Sequence, residues 1–154
     1  METITVEYLT QVGQQWEWAP KIEQVDTEYD FSIDEDNLNK EICRMGHLLV
    51  KYGDLAARMN TNLKRKEENV KYVQAKVAGV IRSVAESTGA KMTEGKLNEE
   101  VIVDASYQQA LAELHTMRAD ALRAEHWWRS IVKKADLLNA MAFRQNAEIK
   151  RMPG

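Results

Sequence analysis

The apolar residues of this chain recur mostly at intervals of three and four, the spacing that lines one face of an α-helix. Near the start, Val6, Leu9, Val12 and Trp16 keep that interval, which predicts a short amphipathic helix between Thr5 and Trp18, ending before Pro20. Gly13 weakens that helix. Residues 19–33 show no helical period and are crowded with acids, so an extended linker is expected there, anchored by Ile22, Val25 and Phe31. Asp34 stands where a helix N-cap is wanted, with Asp36 and Asn37 suited to the positive end of the helix dipole.

A long stripe follows, from Leu38 through Met45, Leu48, Tyr52, Leu55 and Met59 to Leu63, and more weakly from Val70 through Val77 to Val84. No proline interrupts it before Glu86, and a helix of about fifty residues would extend roughly 75 Å. Lys64 to Asn69 break the stripe, so a bend, a pause or a departure from the core is expected at that point. Gly89 and Gly95 end the segment, and Leu97 to Val103 predicts a brief extended stretch. Asp104 or Ser106 can cap a second long helix carrying Tyr107, Leu114, Trp128, Ile131, Leu138 and Met141, with Pro153 just past its end.

Two proline-free helices joined by about fifteen residues predict an antiparallel hairpin. Such a hairpin has little interior of its own, so its remaining apolar surface should be buried against copies of itself. The expected fold class is all-α: a coiled-coil-like antiparallel hairpin of long helices with a short N-terminal helix, assembled as a homo-oligomer. Residues 1–33 form the acidic N-terminal segment in this reading, and residues 34–154 form the helical hairpin.

Composition narrows the classes further. A chain of 154 residues, 44% hydrophobic and 29% charged, fits one ordinary domain, and seven glycines with two prolines are too few turn residues for a sandwich or barrel. The lone Cys43 cannot make an internal disulfide. The start METITVEYLT lacks the basic residues and apolar run of a signal peptide, and no apolar stretch approaches the ~20 residues of a membrane span. A cytoplasmic protein with no membrane partner is expected.

The net charge of −3 conceals an uneven distribution. Residues 1–36 carry one Lys against ten acids, residues 37–86 ten bases against five acids, and residues 118–154 eight bases against four acids. An acidic start followed by basic helical segments fits a polyanion partner, an acidic arm competing for the basic surface, or ordinary solvated helix faces. The run Lys64, Arg65 and Lys66, continued by Lys71, Lys76 and Arg82, is the candidate nucleic-acid-binding surface. Lys and Arg neutralise phosphates, and Tyr52 and Tyr72, within reach of the same surface, could stack on the bases of a single strand.

Catalytic signatures are missing: there is no phosphate-binding glycine loop, no Gly-x-Ser-x-Gly elbow, no His-Glu-x-x-His and no Cys-x-x-Cys. Cys43 and His47 stand four apart on one helix but do not close a zinc site. No enzyme, metal or cofactor is expected. Trp127 and Trp128 point in directions about 100° apart, so one belongs to the core and the other to a contact between protomers. Arg123, Arg129, Lys133 and Lys134 around them permit a second nucleic-acid or protein contact, and Trp16 and Trp18 suggest an anchor that docks the N-terminal arm onto a neighbouring subunit.

The stretch IDEDNLNKEICRMGHLLVKYGDLAAR, followed by NLKRKEENVKYVQAKVAGVIR, resembles the N-terminal core of the UvsY-type recombination mediators of T-even-like bacteriophages. KMTEGKLNEEVIVDASYQQALAEL and the helix to MAFRQNAEIKRM are similar to their C-terminal half, so the resemblance runs from about Ser32 to Met152. It implies a ring-forming helical protein without enzymatic activity that binds single-stranded DNA and contacts the single-strand-binding protein. It further implies that the protein helps load a RecA-like recombinase during phage recombination and repair, in the host cytoplasm. In that family single-strand binding depends on basic residues late in the first long helix, which matches Lys64 to Arg82 here. Lys76 and Arg82 correspond best by position; Lys64, Arg65, Lys66 and Lys71 follow from charge. The alternative of another class is a structural coiled-coil protein, a virion scaffold or assembly chaperone, that does not bind DNA.

Overall fold

The computed structural model describes residues 1–152. They form β1 (Glu2–Val12), β2 (Gln15–Val25), α1 (Thr27–Phe31), α2 (Leu38–Thr88), α3 (Glu94–Val103) and α4 (Ala105–Arg151). The fold is mostly helical, with long α2 and α4 and one small two-stranded sheet. Pro153, expected just past the second long helix, lies outside the described residues. The chain divides into two compact units, one of Met1–Met59 with Asp120–Gly154 and the other of Asn60–Ala119. Among the described residues no helix is long and apolar enough to cross a membrane.

The N-terminal segment corrects the all-α expectation. Thr5 to Trp18 is no helix: β1 and β2 pair antiparallel from Glu2 opposite Val25 to Val12 opposite Gln15. Thr, Ile, Val and Tyr favour a pleated strand, and their alternation sends Ile4 and Val6 to one face and Thr3 and Thr5 to the other. Gly13, at φ +64°, supplies the first position of a two-residue turn, and Gln14 follows with negative φ, the type II′ pattern that matches strand twist. β2 and α1 likewise replace most of the expected linker. Ile4, Val6 and Val25 are buried, whereas Ile22, an expected anchor, faces outward.

Asp26 caps α1 by accepting from the Tyr29 backbone N–H at 3.0 Å, and Asp34 caps a single 3-10 turn at Glu35–Asn37 that leads into α2. Along α2 the buried positions Glu41, Met45, Leu48, Tyr52, Leu55 and Met59 alternate by four and three, the interval that keeps one stripe facing one partner. α2 does not break between Lys64 and Asn69; that run merely lacks a buried residue. Leu97 to Val103 is a second correction. Thr93 caps α3 there by accepting from the Lys96 N–H, and Leu97 and Val101, four apart, are buried together, a helical rather than a strand period. Asp104 then accepts from the backbone N–H groups of Ser106 and Tyr107, as expected of the cap of α4.

Within the first unit α2 and α4 run antiparallel: Lys134 meets Glu41, Tyr52 meets Trp127, and Trp128 lies over Gly53. Of the tryptophan pair, Trp127 is buried and Trp128 half-buried within the chain itself. A cluster of ionised groups locks α1 onto these helices. Asp30, 5% exposed, accepts from Arg44 at 2.9 Å, Lys51 at 2.8 Å and the Tyr52 hydroxyl at 2.7 Å. Lys134, 3% exposed, donates to the Asp30 carbonyl at 3.0 Å and pairs with Glu41 at 2.8 Å.

The second unit is built the same way on a smaller scale. Val70 packs with Ala110 and Leu114, flanked by Leu63, Val73 and Tyr107, so α2 and α4 again run antiparallel. α3 covers the end of α2, where Leu97 and Val101 close over Val77 with Ile81 and Met92 beside them. Burying each such aliphatic side chain contributes about 1.5–3 kcal/mol.

Candidate nucleic-acid interface

The six basic candidates all lie on α2 between Asn60 and Thr88, where six Lys or Arg stand against Glu67, Glu68 and Glu86. Helical geometry does not place them on one face. Lys64, Lys71 and Arg82, seven and eleven residues apart, are two and three turns distant and form one stripe. Arg65 and Lys76, also eleven apart, form a second, with Tyr72 between the two and exposed. Lys64, Lys71 and Lys76 are exposed and make no ion pair among the described residues.

The other three are partly committed. Lys66 turns toward α4 and pairs with Glu113 at 3.1 Å; hydrogen bonds from Gln109 and Lys66 hold that carboxyl below its usual range. Arg82 pairs with Glu94 of α3 at 3.0 Å. Arg65 is half-buried, and burial holds its guanidinium below the usual arginine range. Arg65, Lys66, Glu68, Asn69, Tyr72 and Glu113 line a shallow polar groove on this unit.

Exposed ammonium groups on two flanks of one helix can meet successive phosphates, and an exposed ring between them offers a stacking platform. Three features of the surface differ from expectation or were hidden. Tyr52, expected beside the basic surface, is fully buried and hydrogen-bonded to Asp30. Glu113 and Glu94, which partly neutralise Lys66 and Arg82, come from 47 and 12 residues away, and no local spacing announces them. Asn69, in the groove beside Tyr72, had only its polarity to mark it.

Of the bases around the tryptophan pair, Lys133 is exposed and the other three are engaged within the chain. Lys134 is buried and spent on Asp30 and Glu41, Arg129 pairs with Glu125, and Arg123 pairs with Asp120 at 2.7 Å while lying over the Trp127 ring. Cys43 and His47 are exposed, and among the described residues no group of three His, Cys, Asp or Glu could hold a metal ion. Compared with protein-family models, curated proteins and solved structures, the chain matches none of them.

Proposed function

We propose that this protein is a recombination mediator: it binds single-stranded DNA along α2 and helps load a RecA-like recombinase onto strands held by a single-strand-binding protein. The observation that carries the reading is the exposed trio Lys64, Lys71 and Lys76 flanking the exposed ring of Tyr72 on one stretch of helix. The resemblance to UvsY-type mediators, whose single-strand binding falls in the matching region, supports it. In this reading a ring-like homo-oligomer repeats the patch around an axis, so that sites of modest affinity combine by multivalency. The strand wraps on the ring, loosens from its single-strand-binding protein and is handed over in a form the recombinase can take. The exchange proceeds only as far as the ring's differential affinity for the two states allows.

Fluorescence anisotropy of a labelled single-stranded oligonucleotide at several salt concentrations tests the reading. Each phosphate neutralised on a single strand contributes about −0.7 to the slope of log affinity against log salt. Lys64→Ala/Lys71→Ala/Lys76→Ala should therefore flatten the slope by about 2 per protomer engaged. Absence of binding by the wild type at low salt would overturn the proposal. The second reading, a structural coiled coil, draws on the heptad interval of α2 and on the pairing of Lys66 and Arg82 with acids of the same chain, and it expects that absence.

A further inference from the structure

Within the first unit α4 outruns its partner helix. Lys134 meets Glu41, the fourth residue of α2, so beyond Leu138 the antiparallel α4 has no length of α2 beside it. No described residue after Leu138 is buried. On this free end Phe143 is 76% exposed and makes no ring contact among the described residues. Arg144, Lys150 and Arg151 are exposed too, and none of them makes an ion pair among the described residues. They stand against Glu148, the one acid from Leu137 to Met152.

Helical spacing gathers the ring and the three bases. Residues three and four apart are neighbours on a helix surface, so Phe143, Arg144, Lys150 and Arg151 are the four neighbours of Ala147. Phe143 and Lys150, seven apart, form one line about 10.5 Å long, and Arg144 and Arg151 form a second line beside it. The small side chain of Ala147 leaves a shallow floor between the two lines. Lys150 and Arg151 lie in the last turn, where cations complement the helix dipole; Arg144, two turns earlier, and the exposed ring contribute nothing to that. A solvated ring among unpaired bases repeats, in this unit, the combination of Tyr72 with Lys64, Lys71 and Lys76 in the other.

A polyanion that also carries flat rings satisfies both parts of the cluster. Phosphates bind Lys and Arg by releasing counterions, and a base laid on an aromatic ring takes it out of water. A second copy of this face would set three bases against three. An anionic membrane needs a broad apolar face to insert, whereas the neighbours of Phe143 are Asn139, Ala140, Asn146 and Ala147, small or polar throughout. Ile149 and Met152, also exposed, lie on the other side of the helix, in line with the buried Ile131 and Leu138.

We infer that the end of α4 is a second single-strand site, in which one base stacks on Phe143 and the phosphates beside it meet Arg144, Lys150 and Arg151. The inference rests on the reading that the protein binds single-stranded DNA, and it extends that contact from α2 to α4.

The test titrates a labelled single-stranded oligonucleotide by anisotropy at several salt concentrations, with the full chain and two variants. Arg144→Ala/Lys150→Ala/Arg151→Ala should flatten the slope of log affinity against log salt by about 2 per protomer engaged. Phe143→Ala should weaken binding by roughly five- to 150-fold per site and leave the slope unchanged, because a ring releases no counterions. The replaced side chains are exposed and alanine favours a helix, so circular dichroism and light scattering should show wild-type helix content and mass in both. If both variants titrate as wild type while Lys64→Ala/Lys71→Ala/Lys76→Ala flattens the slope, the inference falls and the proposed function stands. A wild type that binds no strand at low salt overturns both. A change of mass in Phe143→Ala would assign the face to a protein contact and overturn the inference. Sedimentation with phosphatidylserine vesicles that is lost in Phe143→Ala, with DNA binding unchanged, would assign it to a lipid surface and overturn the inference equally.

Discussion

Replacing Asp30 by alanine removes one carboxylate from a nearly dry cluster, takes from Arg44 and Lys51 the acid they share, and leaves Glu41 to face Arg44 and Lys134. Arg44 is largely shielded from water, with a side-chain exposure of 17%, so its charge cannot simply resolvate, whereas Lys134 keeps both its partners, the backbone carbonyl of residue 30 and Glu41. Removing one partner from a buried pair costs about 3–5 kcal/mol, most of it from the cation left uncompensated. For a domain of this size each kcal/mol lowers Tm by about 2–4 °C, so the melting temperature should fall by roughly 6–20 °C. The exposed pair of Arg58 with Asp54 is the control, and Asp54→Asn should change stability by less than about 1 kcal/mol. The pH dependence adds a second reading. Burial alone would raise the Asp30 pKa, but hydrogen bonds from Lys51, Tyr52 and Arg44 outweigh it and hold the carboxyl below its ordinary 3.8. A carboxyl depressed in the folded state contributes its full stability above the unfolded value and loses it as pH falls through the folded one. Urea unfolding of wild type and Asp30→Ala should therefore differ by a constant amount between about pH 5 and 8 and converge below about 3.8. A cost under about 1 kcal/mol at neutral pH, or a difference that persists unchanged into acid, would refute the idea that this cluster locks α1 to α2 and α4.

Glycines inside α2 give a paired expectation. Gly79 has open space where a Cβ would stand, so Gly79→Ala should stabilise by about 0.5–1 kcal/mol in thermal melts; at Gly53 the added carbon would sit 3.2 Å from Cζ3 of Trp128, and Gly53→Ala should forfeit that gain or destabilise. At the candidate interface, Glu113→Gln removes the acid that holds Lys66; single-strand affinity at low salt should rise two- to fivefold and the salt slope steepen by about 0.7 per protomer, read by the same anisotropy titration.

The long helices were legible because their stripes are long: α2 and α4 hold a three-and-four interval over many turns, and Asp34 and Asp104 mark their approaches. The hairpin was misread because two periods overlap in eleven residues. Val6, Leu9 and Val12 satisfy the helical interval, while Ile4, Val6 and Tyr8 satisfy the strand alternation; Ile4 and Val6 are buried and Tyr8 half-buried, whereas Leu9 and Val12 are exposed. Its β-branched and aromatic content and the Gly13-Gln14 turn were the local signals that favour a strand. Leu97 to Val103 failed in the opposite direction, since Val101, Ile102 and Val103 favour a strand by composition, yet the Thr93 cap and the contact with Val77 make a helix.

For the basic surface the limit is of another kind. The positions of the bases could be read directly, but which of them remain available to a ligand depends on acids brought from other elements, such as Glu94 and Glu113. Positional likeness favoured Lys76 and Arg82, whereas ion pairing separates them: Lys76 is exposed, and Arg82 must exchange Glu94 for a phosphate. Two lysines of equal formal charge, Lys64 and Lys66, differ in the same way, one facing solvent and the other facing a carboxylate. A salt titration weighs these residues by the counterions they release, and it therefore ranks Lys64, Lys71 and Lys76 above Lys66 and Arg82.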